Sequence, residues 1–210
     1  MAEISDISWD VVLFSETRAP SGKQVLEGGH VLYTHLDTNM FAGVGILLHS
    51  KHVKKSNRIR KVSDRVLGLD VIVNAIKITV VAVYMPHCGY SVECFEDTYE
   101  QLRCILQQVT NMRRRLVIGG DFNTQVNVGS RGLALQNLVE AFSLRIANHS
   151  DADWDKQWTF RSNMGIKRKI DFVLVSKMID IQTANASMEV DLGSDHRAVR
   201  VLLRLFSWLK

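Results

Sequence analysis

A short run, Gly119–Asn123 with the sequence GGDFN, constrains this chain more than any other segment. It directly follows the apolar residues Leu116–Ile118, which are typical of a buried strand. A buried strand that stops at a glycine pair holds the next side chains rigidly at its carboxyl end, where α/β proteins usually build their sites. The sequence therefore predicts that Asp121 and Asn123 belong to a functional site.

Length and composition indicate one globular domain over residues 1–210. The chain has 210 residues, of which 46% are hydrophobic, so it can bury a sizeable core. It has no apolar stretch long enough to span a membrane, and its first residues carry acid where a signal peptide carries base. Three cysteines without CxxC spacing favour reduced thiols over disulfides or zinc ligands. We therefore expect an intracellular protein that does not contact membranes.

Apolar or β-branched runs predict strands at Val11–Phe14, Val44–Leu48, Val66–Val73, Ile78–Tyr84, Leu116–Ile118, Phe172–Val175 and Ala198–Leu205. Helical spacing predicts two helices, one carrying Phe95, Tyr99, Leu102, Leu106 and Val109, the other Leu135, Leu138, Val139 and Phe142. Strands with interspersed helices indicate a core of two sheets with helices outside.

Polar residues recur where these predicted strands begin or end. They are Glu16, Tyr84, Asp121, Asn123, Asp171 and the pair Asp195 and His196. Each alone has an ordinary explanation, because an Asp after a strand is more often a turn residue or a helix cap. Together they offer carboxylates, an amide, a phenol and an imidazole from separate strands, which indicates one catalytic cleft.

Basic residues are unevenly distributed, although the net charge is only +4. Six of them lie within Lys51–Lys61, and two further clusters are Arg113–Arg115 and Lys167–Lys169. Such a surface attracts polyanions through counterion release, but solvated loops and helix ends give the same pattern. From the first cluster we predict Lys54, Lys55 and Arg58 as substrate phosphate contacts.

The ordered motifs Ser15–Thr17, Val83–Pro86, Gly120–Asn123, Lys169–Phe172 and Gly193–His196 together resemble the endonuclease/exonuclease/phosphatase superfamily. Within it, the chain is most similar to the apurinic-type endonuclease domains of non-LTR retroelements and to craniofacial-development-protein-2-like sequences. Gly43–Leu47, Val62–Val66 and Trp158–Ser162 are similar to connecting segments of that subgroup. The resemblance implies a four-layer α/β sandwich, in which two mixed β-sheets pack face to face with helices outside.

The resemblance also implies roles for the residues at the strand ends. Glu16 is the principal ligand for Mg²⁺, or for Mn²⁺, and Asp195 assists it. Asp121 positions and deprotonates the attacking water, and Asn123 and Tyr84 hold the phosphate. His196 donates to a phosphate oxygen and is oriented by Asp171. Thr159 buttresses the site and is a substrate-binding residue.

One departure from the family pattern concerns the amino terminus. Family members begin with an Asn-bearing strand and a helix before the strand that ends in the metal-binding Glu. This chain reaches Glu16 directly, and Ser8–Asp10 lacks the Asn. We therefore expect an amino-terminally truncated domain, with an uncovered edge on Val11–Phe14, low stability and weak activity.

Three functions remain open from the sequence. The first is a Mg²⁺-dependent endonuclease of retroelement type, with DNA as its partner, a reverse transcriptase domain in the parent element and a nuclear location within the cell. The second is another phosphoesterase of the superfamily, acting on RNA, inositol phosphates or lipid. The third is a catalytically inactive fold that binds nucleic acid or a protein.

Overall fold

The computed structural model describes residues 8–37, 42–149, 157–186 and 193–206. A four-stranded antiparallel sheet has the order β1-β4-β3-β2, with β1 Val11–Ser15, β2 Gly22–Val25, β3 Val31–His35 and β4 Val44–Leu48. A six-stranded mixed sheet has the order β5-β6-β7-β8-β12-β9, with β5 Ser56–Ser63, β6 Val66–Val73, β7 Ile76–Tyr84, β8 Arg115–Asp121, β9 Leu144–Ile146 and β12 Asp171–Ser176. Two hairpins complete the strands: β10 Phe160–Arg161 with β11 Lys167–Arg168, and β13 Asp180–Ala186 with β14 Val199–Arg204.

In the described residues, three α-helices connect these strands, α1 Ser50–Val53, α2 Val92–Asn111 and α3 Gly129–Ala141, and a 3-10 turn at Glu27–Gly29 lies between β2 and β3. Helix α2 links β7 to β8, the parallel pair in the six-stranded sheet. Parallel neighbours need such a crossover, because a short hairpin loop can join only antiparallel strands. As a result, β7 and β8 both end at the same edge of the sheet.

Strand β7 shows how the chain builds two cores from one sheet. Val81 and Val83 pack with α2 and α3, whereas Val80, Ala82 and Tyr84 pack with β4 and β6. This alternation follows from the period of two in a strand, which sends successive side chains to opposite faces. The predicted sandwich, with two sheets face to face and helices outside, is confirmed, and one of the two sheets is wholly antiparallel.

Several predicted elements match the structure closely, and others were missed. The predicted bounds of β4 and β6 are those observed, and β7 begins two residues earlier than predicted. Strand β5 was not predicted, because its residues SNRIRKVS read as a basic surface segment. It forms because backbone pairing with β6 does not require an apolar sequence, and charged residues are common on edge strands.

Part of the basic charge is used inside the fold. The Arg60 guanidinium donates to both carboxylate oxygens of Asp70, at 2.9 and 2.8 Å, and both side chains are about 5% exposed. Arg114 lies 3.4 Å from the same carboxylate and donates to the Thr79 hydroxyl. Arg60 and Arg114 therefore join β5, β6, β7 and β8, and neither is available to a surface ligand.

Within the described residues, β1 and β14 each pair with a single strand, which leaves one edge of each open. The three cysteines are free thiols, as predicted. No helix in the described part of the chain is both long and apolar enough to cross a membrane.

Replacing Asp70 with Asn should destabilise the fold strongly. The variant leaves the Arg60 guanidinium buried without a countercharge, and breaking one half of a buried pair costs about 3–5 kcal/mol. We expect urea unfolding at pH 7 to show a loss of that size. Arg103→Gln, which breaks an exposed pair with Glu100, is the control and should leave the midpoint unchanged.

The difference in the free energy of unfolding between wild type and Asp70→Asn should become smaller at acidic pH. Burial alone would raise the pKa of Asp70, but hydrogen bonds from Arg60 and Thr79 and the charge of Arg114 hold that pKa below its ordinary value. The carboxylate therefore stabilises the fold above about pH 4, the pKa of an unfolded Asp, and this stabilisation disappears as pH falls through the folded pKa. A difference that stays constant between pH 7 and pH 3 would contradict this account.

Candidate active site

Three polar side chains lie in one row across neighbouring strands. Tyr84 on β7 is the register partner of Asp121 on β8, and Asp121 is the register partner of Asp171 on β12. Adjacent strands are about 4.8 Å apart, so the phenol and the two carboxyl groups stand side by side at the sheet edge. Residues far apart in sequence are thus brought together by strand pairing alone.

His196 completes this row through Asp171. Its Nδ1 lies 2.9 Å from Oδ2 and 3.2 Å from Oδ1 of Asp171, and Phe160 packs against the imidazole with ring centroids 5.0 Å apart. The predicted pairing of His196 with Asp171 is therefore present. Burial alone would lower the pKa of His196, but the hydrogen bond and charge of Asp171 raise it to about 9. The imidazole is a cation at neutral pH.

The Asp121 carboxyl is 5% exposed and is held by its neighbours. Oδ1 accepts from the Asn123 backbone N–H at 2.7 Å, and Oδ2 accepts from the Asn123 carboxamide at 3.0 Å. The same carboxamide donates to the Met85 carbonyl at 2.7 Å, which fixes its direction. Burial, followed by the nearby Asp171 charge, raises the pKa of Asp121 far above its ordinary value. A proton is therefore held readily at this carboxyl group.

Gly120 is required where it stands. Its φ is 149°, and a Cβ at this position would lie 1.9 Å from the carbonyl oxygen of Val83. Any other residue would push β8 away from β7 and shift Asp121, the next residue. The second glycine of the GGDFN motif thus has a packing reason that is specific to the register of the site.

Glu16 reaches the site from the other sheet, at the end of β1. Its φ of 53° is uncommon for a residue with a side chain, and such strain is concentrated at functional sites. Oε1 accepts from the Tyr84 hydroxyl at 2.6 Å, while Oε2 lies 3.1 Å from the Arg18 guanidinium at the surface. Burial, together with this bond to Glu16, raises the pKa of Tyr84, so the phenol remains a proton donor.

Thr159 acts on the site through the backbone. Its side chain is completely buried, and its hydroxyl accepts from the N–H groups of Ile170 and Asp171, both at 3.0 Å. The backbone around His196 is tied to the same segment, since the Arg197 N–H donates to the Thr159 carbonyl at 2.6 Å. Thr159 therefore fixes both Asp171 and the residue after His196.

The other predicted site residues lie further away. Asp195 is exposed beside His196, whose pKa its charge helps to raise. Lys54 and Lys55 lie at the opposite end of the six-stranded sheet, where the Lys55 carbonyl accepts from Ile72. Strand β7 has nine residues and spans about 26 Å, which approximates their distance from Tyr84 along the sheet. Arg58 lies on β5 between these two ends.

Two residues of the site have no role in the sequence-based prediction. The Ser15 hydroxyl accepts from the Asp121 N–H at 3.3 Å and donates to the Val83 carbonyl at 3.2 Å, which joins the two sheets beneath the site. The Arg65 guanidinium lies over the Tyr84 ring. Each had a signal in the sequence, since Ser15 directly precedes Glu16 and Arg65 lies in Val62–Val66, a segment similar to the retroelement subgroup.

Two sets of side chains could hold a metal ion. Ligand atoms of Asp121, Asp171 and His196 lie within 4.8 Å of one another, although His196 and Asp171 already bond to each other. Glu16 offers carboxylate oxygens on a side chain that is 41% exposed, and its surface partner is easily displaced. Hard cations such as Mg²⁺ prefer carboxylate oxygen and keep several waters, which suits the open position of Glu16.

A family model described as "Endonuclease-reverse transcriptase" matches residues 78–200, which is more than half of the chain. This chain belongs to the endonuclease-reverse transcriptase family. The match includes the strands that carry Tyr84, Asp121 and Asp171, and it ends just beyond His196. It confirms the resemblance to the endonuclease/exonuclease/phosphatase superfamily found in the sequence.

Solved structures show the same fold in proteins of low sequence identity. The endonuclease domain of TRAS1, a telomere-specific non-LTR retrotransposon, is 18% identical with a TM-score of 0.74, over 98% of this chain and 91% of that one. The catalytic domain of Xenopus laevis APE2 is 14% identical with a TM-score of 0.77, over 96% and 85%. The 3′ phosphatase NExo from Neisseria, bound to product DNA hairpin, is 16% identical with a TM-score of 0.72, over 97% and 92%. No curated protein matches the sequence significantly.

Replacing Thr159 with Val should destabilise the backbone that supports Asp171, although the two side chains have nearly the same shape. The isosteric change leaves the N–H groups of Ile170 and Asp171 buried without an acceptor, and each unsatisfied group costs about 1–3 kcal/mol. We expect a lower unfolding midpoint in urea and faster hydrogen exchange at these two amides. Thr159→Ser retains the hydroxyl and should keep hydrogen exchange at both amides as slow as in the wild type. Equal exchange in the two variants would refute this assignment.

Proposed function

We propose that this protein is a metal-dependent endonuclease of the retroelement type, which hydrolyses phosphodiester bonds in DNA. The row of Tyr84, Asp121 and Asp171, with His196 bonded to Asp171, is the observation that carries this proposal. This row supports the proposal because a carboxyl group, a phenol and an imidazolium lie together at the edge where β7 and β8 end. Membership of the endonuclease-reverse transcriptase family and the fold shared with DNA-processing enzymes support it.

Asp121 is suited to act on the attacking water. Its carboxyl group is fixed by two bonds from Asn123, one to each oxygen, so its orientation is set. A general base is most effective when its pKa lies near the working pH, and the raised pKa of Asp121 moves it in that direction. Asn123 thus positions the base. Its carboxamide nitrogen already donates to Asp121 and Met85, so its proposed contact with the phosphate would replace one of these bonds.

His196 and Tyr84 are suited to hold the phosphate. Asp171 keeps the His196 imidazole protonated and uses its Nδ1, which leaves Nε2 to donate to a phosphate oxygen. Tyr84 keeps its proton because its pKa is raised. A phenol has a single O–H, which Tyr84 donates here to Glu16, so its proposed bond to the phosphate would replace that one. Fixed donors aimed at developing negative charge are usually the largest contribution to catalysis.

Glu16 is the proposed ligand for Mg²⁺ or Mn²⁺, with Asp195 assisting. A divalent ion bound there would neutralise charge on the phosphate oxygens and favour the ionised carboxylates. Tyr84 orients Glu16 through its bond to Oε1, and the strained backbone at Glu16 aims the carboxylate. These are the supporting contacts that a metal ligand needs to keep its geometry.

DNA is the proposed substrate because basic side chains border the cleft. The hairpin of β10 and β11 is tied to the His196 segment by the bond from the Arg161 N–H to the Asp195 carbonyl, at 2.9 Å. Arg161 and Arg168 on this hairpin are exposed. Cationic side chains of this kind bind phosphates of any sequence, so they position a duplex without reading its bases.

The nicking of supercoiled plasmid tests the proposed function. We expect Mg²⁺-dependent nicking that chelation abolishes, and we expect His196→Ala and Asp121→Asn each to lower the rate by about 10²–10⁴, because a single acid or base contributes that much. Arg103→Gln, on the exposed face of α2, is the control and should nick at the wild-type rate.

The outcomes also separate the alternatives. Turnover of RNA, inositol phosphates or lipid substrates with no nicking would favour another phosphoesterase. Binding of plasmid without any turnover would identify a nucleic-acid-binding protein that has lost catalysis. Undiminished nicking by His196→Ala or Asp121→Asn would contradict the roles proposed for these residues.

The proposed phosphate contacts at Lys54, Lys55 and Arg58 can be tested by duplex length. Because the two lysines lie about 26 Å from Tyr84 along the sheet, a duplex held at the cleft must extend about eight base pairs to reach them. With a duplex of about 24 base pairs, we expect Ala at all three positions to reduce the slope of log K against log salt concentration, by nearly one unit for each lost contact. A duplex of about 6 base pairs should show no change.

The matched variant is Arg161→Ala with Arg168→Ala on the hairpin beside the cleft. It should reduce the salt dependence with both duplexes, since these residues lie next to His196. An unchanged salt dependence for the Lys54, Lys55 and Arg58 variant with the long duplex would show that this segment is only a solvated surface.

A further inference from the structure

Arg65 is a buried cation that the proposed mechanism does not use. It lies in the turn between β5 and β6, and only 5% of it is exposed. Its carbonyl oxygen accepts from the Tyr84 N–H at 2.9 Å, so the turn is anchored directly to the end of β7. The guanidinium is therefore adjacent to the active-site phenol.

The Arg65 guanidinium is held between two aromatic rings. Its Cζ lies 4.7 Å from the ring centroid of Tyr84 and 4.6 Å from that of Tyr90. Nη1 also donates to the Tyr84 carbonyl at 3.4 Å. The second ring is held in turn by His87, with ring centroids 4.6 Å apart. The guanidinium thus contacts both the ring and the backbone of Tyr84.

This arrangement lacks the usual partner of a buried arginine. Nη2 is buried and, among the described residues, has no hydrogen-bond acceptor. A buried charge without a countercharge is costly, so a fold keeps it only where other contacts offset the cost. Attraction between a cation and aromatic faces is strongest when both are desolvated, and this contact supplies the compensation. The position of Arg65 is therefore coupled to Tyr84 rather than to a carboxylate.

We infer that Arg65 is a positioning residue, which aims the Tyr84 hydroxyl at Glu16 and into the cleft. This inference rests on the proposed function for its catalytic consequence, but not for its structural content. A tyrosine hydroxyl is directed by the orientation of its ring, and Arg65 fixes that orientation from one ring face. The 2.6 Å bond from Tyr84 to Glu16 is the contact that this orientation permits.

The phenol signals of ring-labelled tyrosine provide a direct test that needs no activity. The chain has four tyrosines, and Tyr84→Phe identifies the Tyr84 signal by its loss in the NMR spectrum. Glu16→Gln weakens the acceptor of the Tyr84 hydroxyl. It therefore gives the change in the chemical shift of the Tyr84 signal that is expected when this hydrogen bond is disturbed. We expect Arg65→Met to move the Tyr84 signal in the same direction, while Arg103→Gln leaves it in place.

Tyr99 serves as an internal control for folding. Its hydroxyl donates to the Ala134 carbonyl at 3.2 Å, away from Arg65, so its signal should not move in Arg65→Met. If Arg65→Met fails to fold, Tyr90→Leu removes the opposite ring face and should move the Tyr84 signal in the same direction. A Tyr84 signal that stays in place in a folded Arg65→Met or Tyr90→Leu protein would overturn the inference.

A double-mutant cycle in the nicking assay tests the catalytic consequence. We expect Arg65→Met to lower kcat about tenfold, with little change in KM, and to have no further effect in the Tyr84→Phe background. Additive losses would show that Arg65 acts independently of Tyr84 and would overturn the positioning role. If the wild type does not nick DNA, the proposed function fails, and the NMR comparison still decides the role of Arg65.

Discussion

The pairing of β7, β8 and β12 is the constraint on which the site depends. Tyr84, Asp121 and Asp171 are register partners, so a shift of one residue between any two of these strands would turn a site residue to the opposite face. Two features protect this register. Gly120 allows β8 to approach the Val83 carbonyl, and the Ser15 hydroxyl bonds to both strands from the other sheet. The same contacts therefore pack the two sheets together and position the site residues.

The electrostatics of the cleft follow from that geometry. Three carboxyl groups converge near the sheet edge. Burial, followed by repulsion from the other two carboxyl groups, raises the pKa of Asp121. The compensating charge is the His196 imidazolium, which Asp171 keeps protonated. A bound phosphodiester and a divalent ion would add charges of both signs to this set.

Two residues of the site have strained backbone. Glu16 and Asn123 both have positive φ, at 53° and 50°. Glu16 directly follows β1, and Asn123 lies two residues after the last residue of β8. Such conformations persist only where surrounding contacts hold them, and here those contacts are the Tyr84 bond to Glu16 and the bonds between Asn123 and Asp121.

Some basic residues support the fold from within, and others lie on the surface. Arg60 and Arg114 are buried with Asp70, whereas Arg161 and Arg168 are exposed beside the cleft.

The sequence by itself determined the strands with continuous apolar runs, the residue types at their ends and the family, because burial and turn chemistry are local properties. It could not predict β5, whose basic sequence pairs with β6 only because the sheet offers a free edge. It also could not show that Arg60, unlike the surface basic residues of the Lys51–Lys61 segment, is buried with Asp70. Only the tertiary structure decided that Thr159 supports Asp171 from within the core, that Lys54 and Lys55 lie at the far end of the sheet, and that Arg65 packs on Tyr84. These are contacts between residues distant in sequence, and their partners are set by register and packing, which no local pattern encodes.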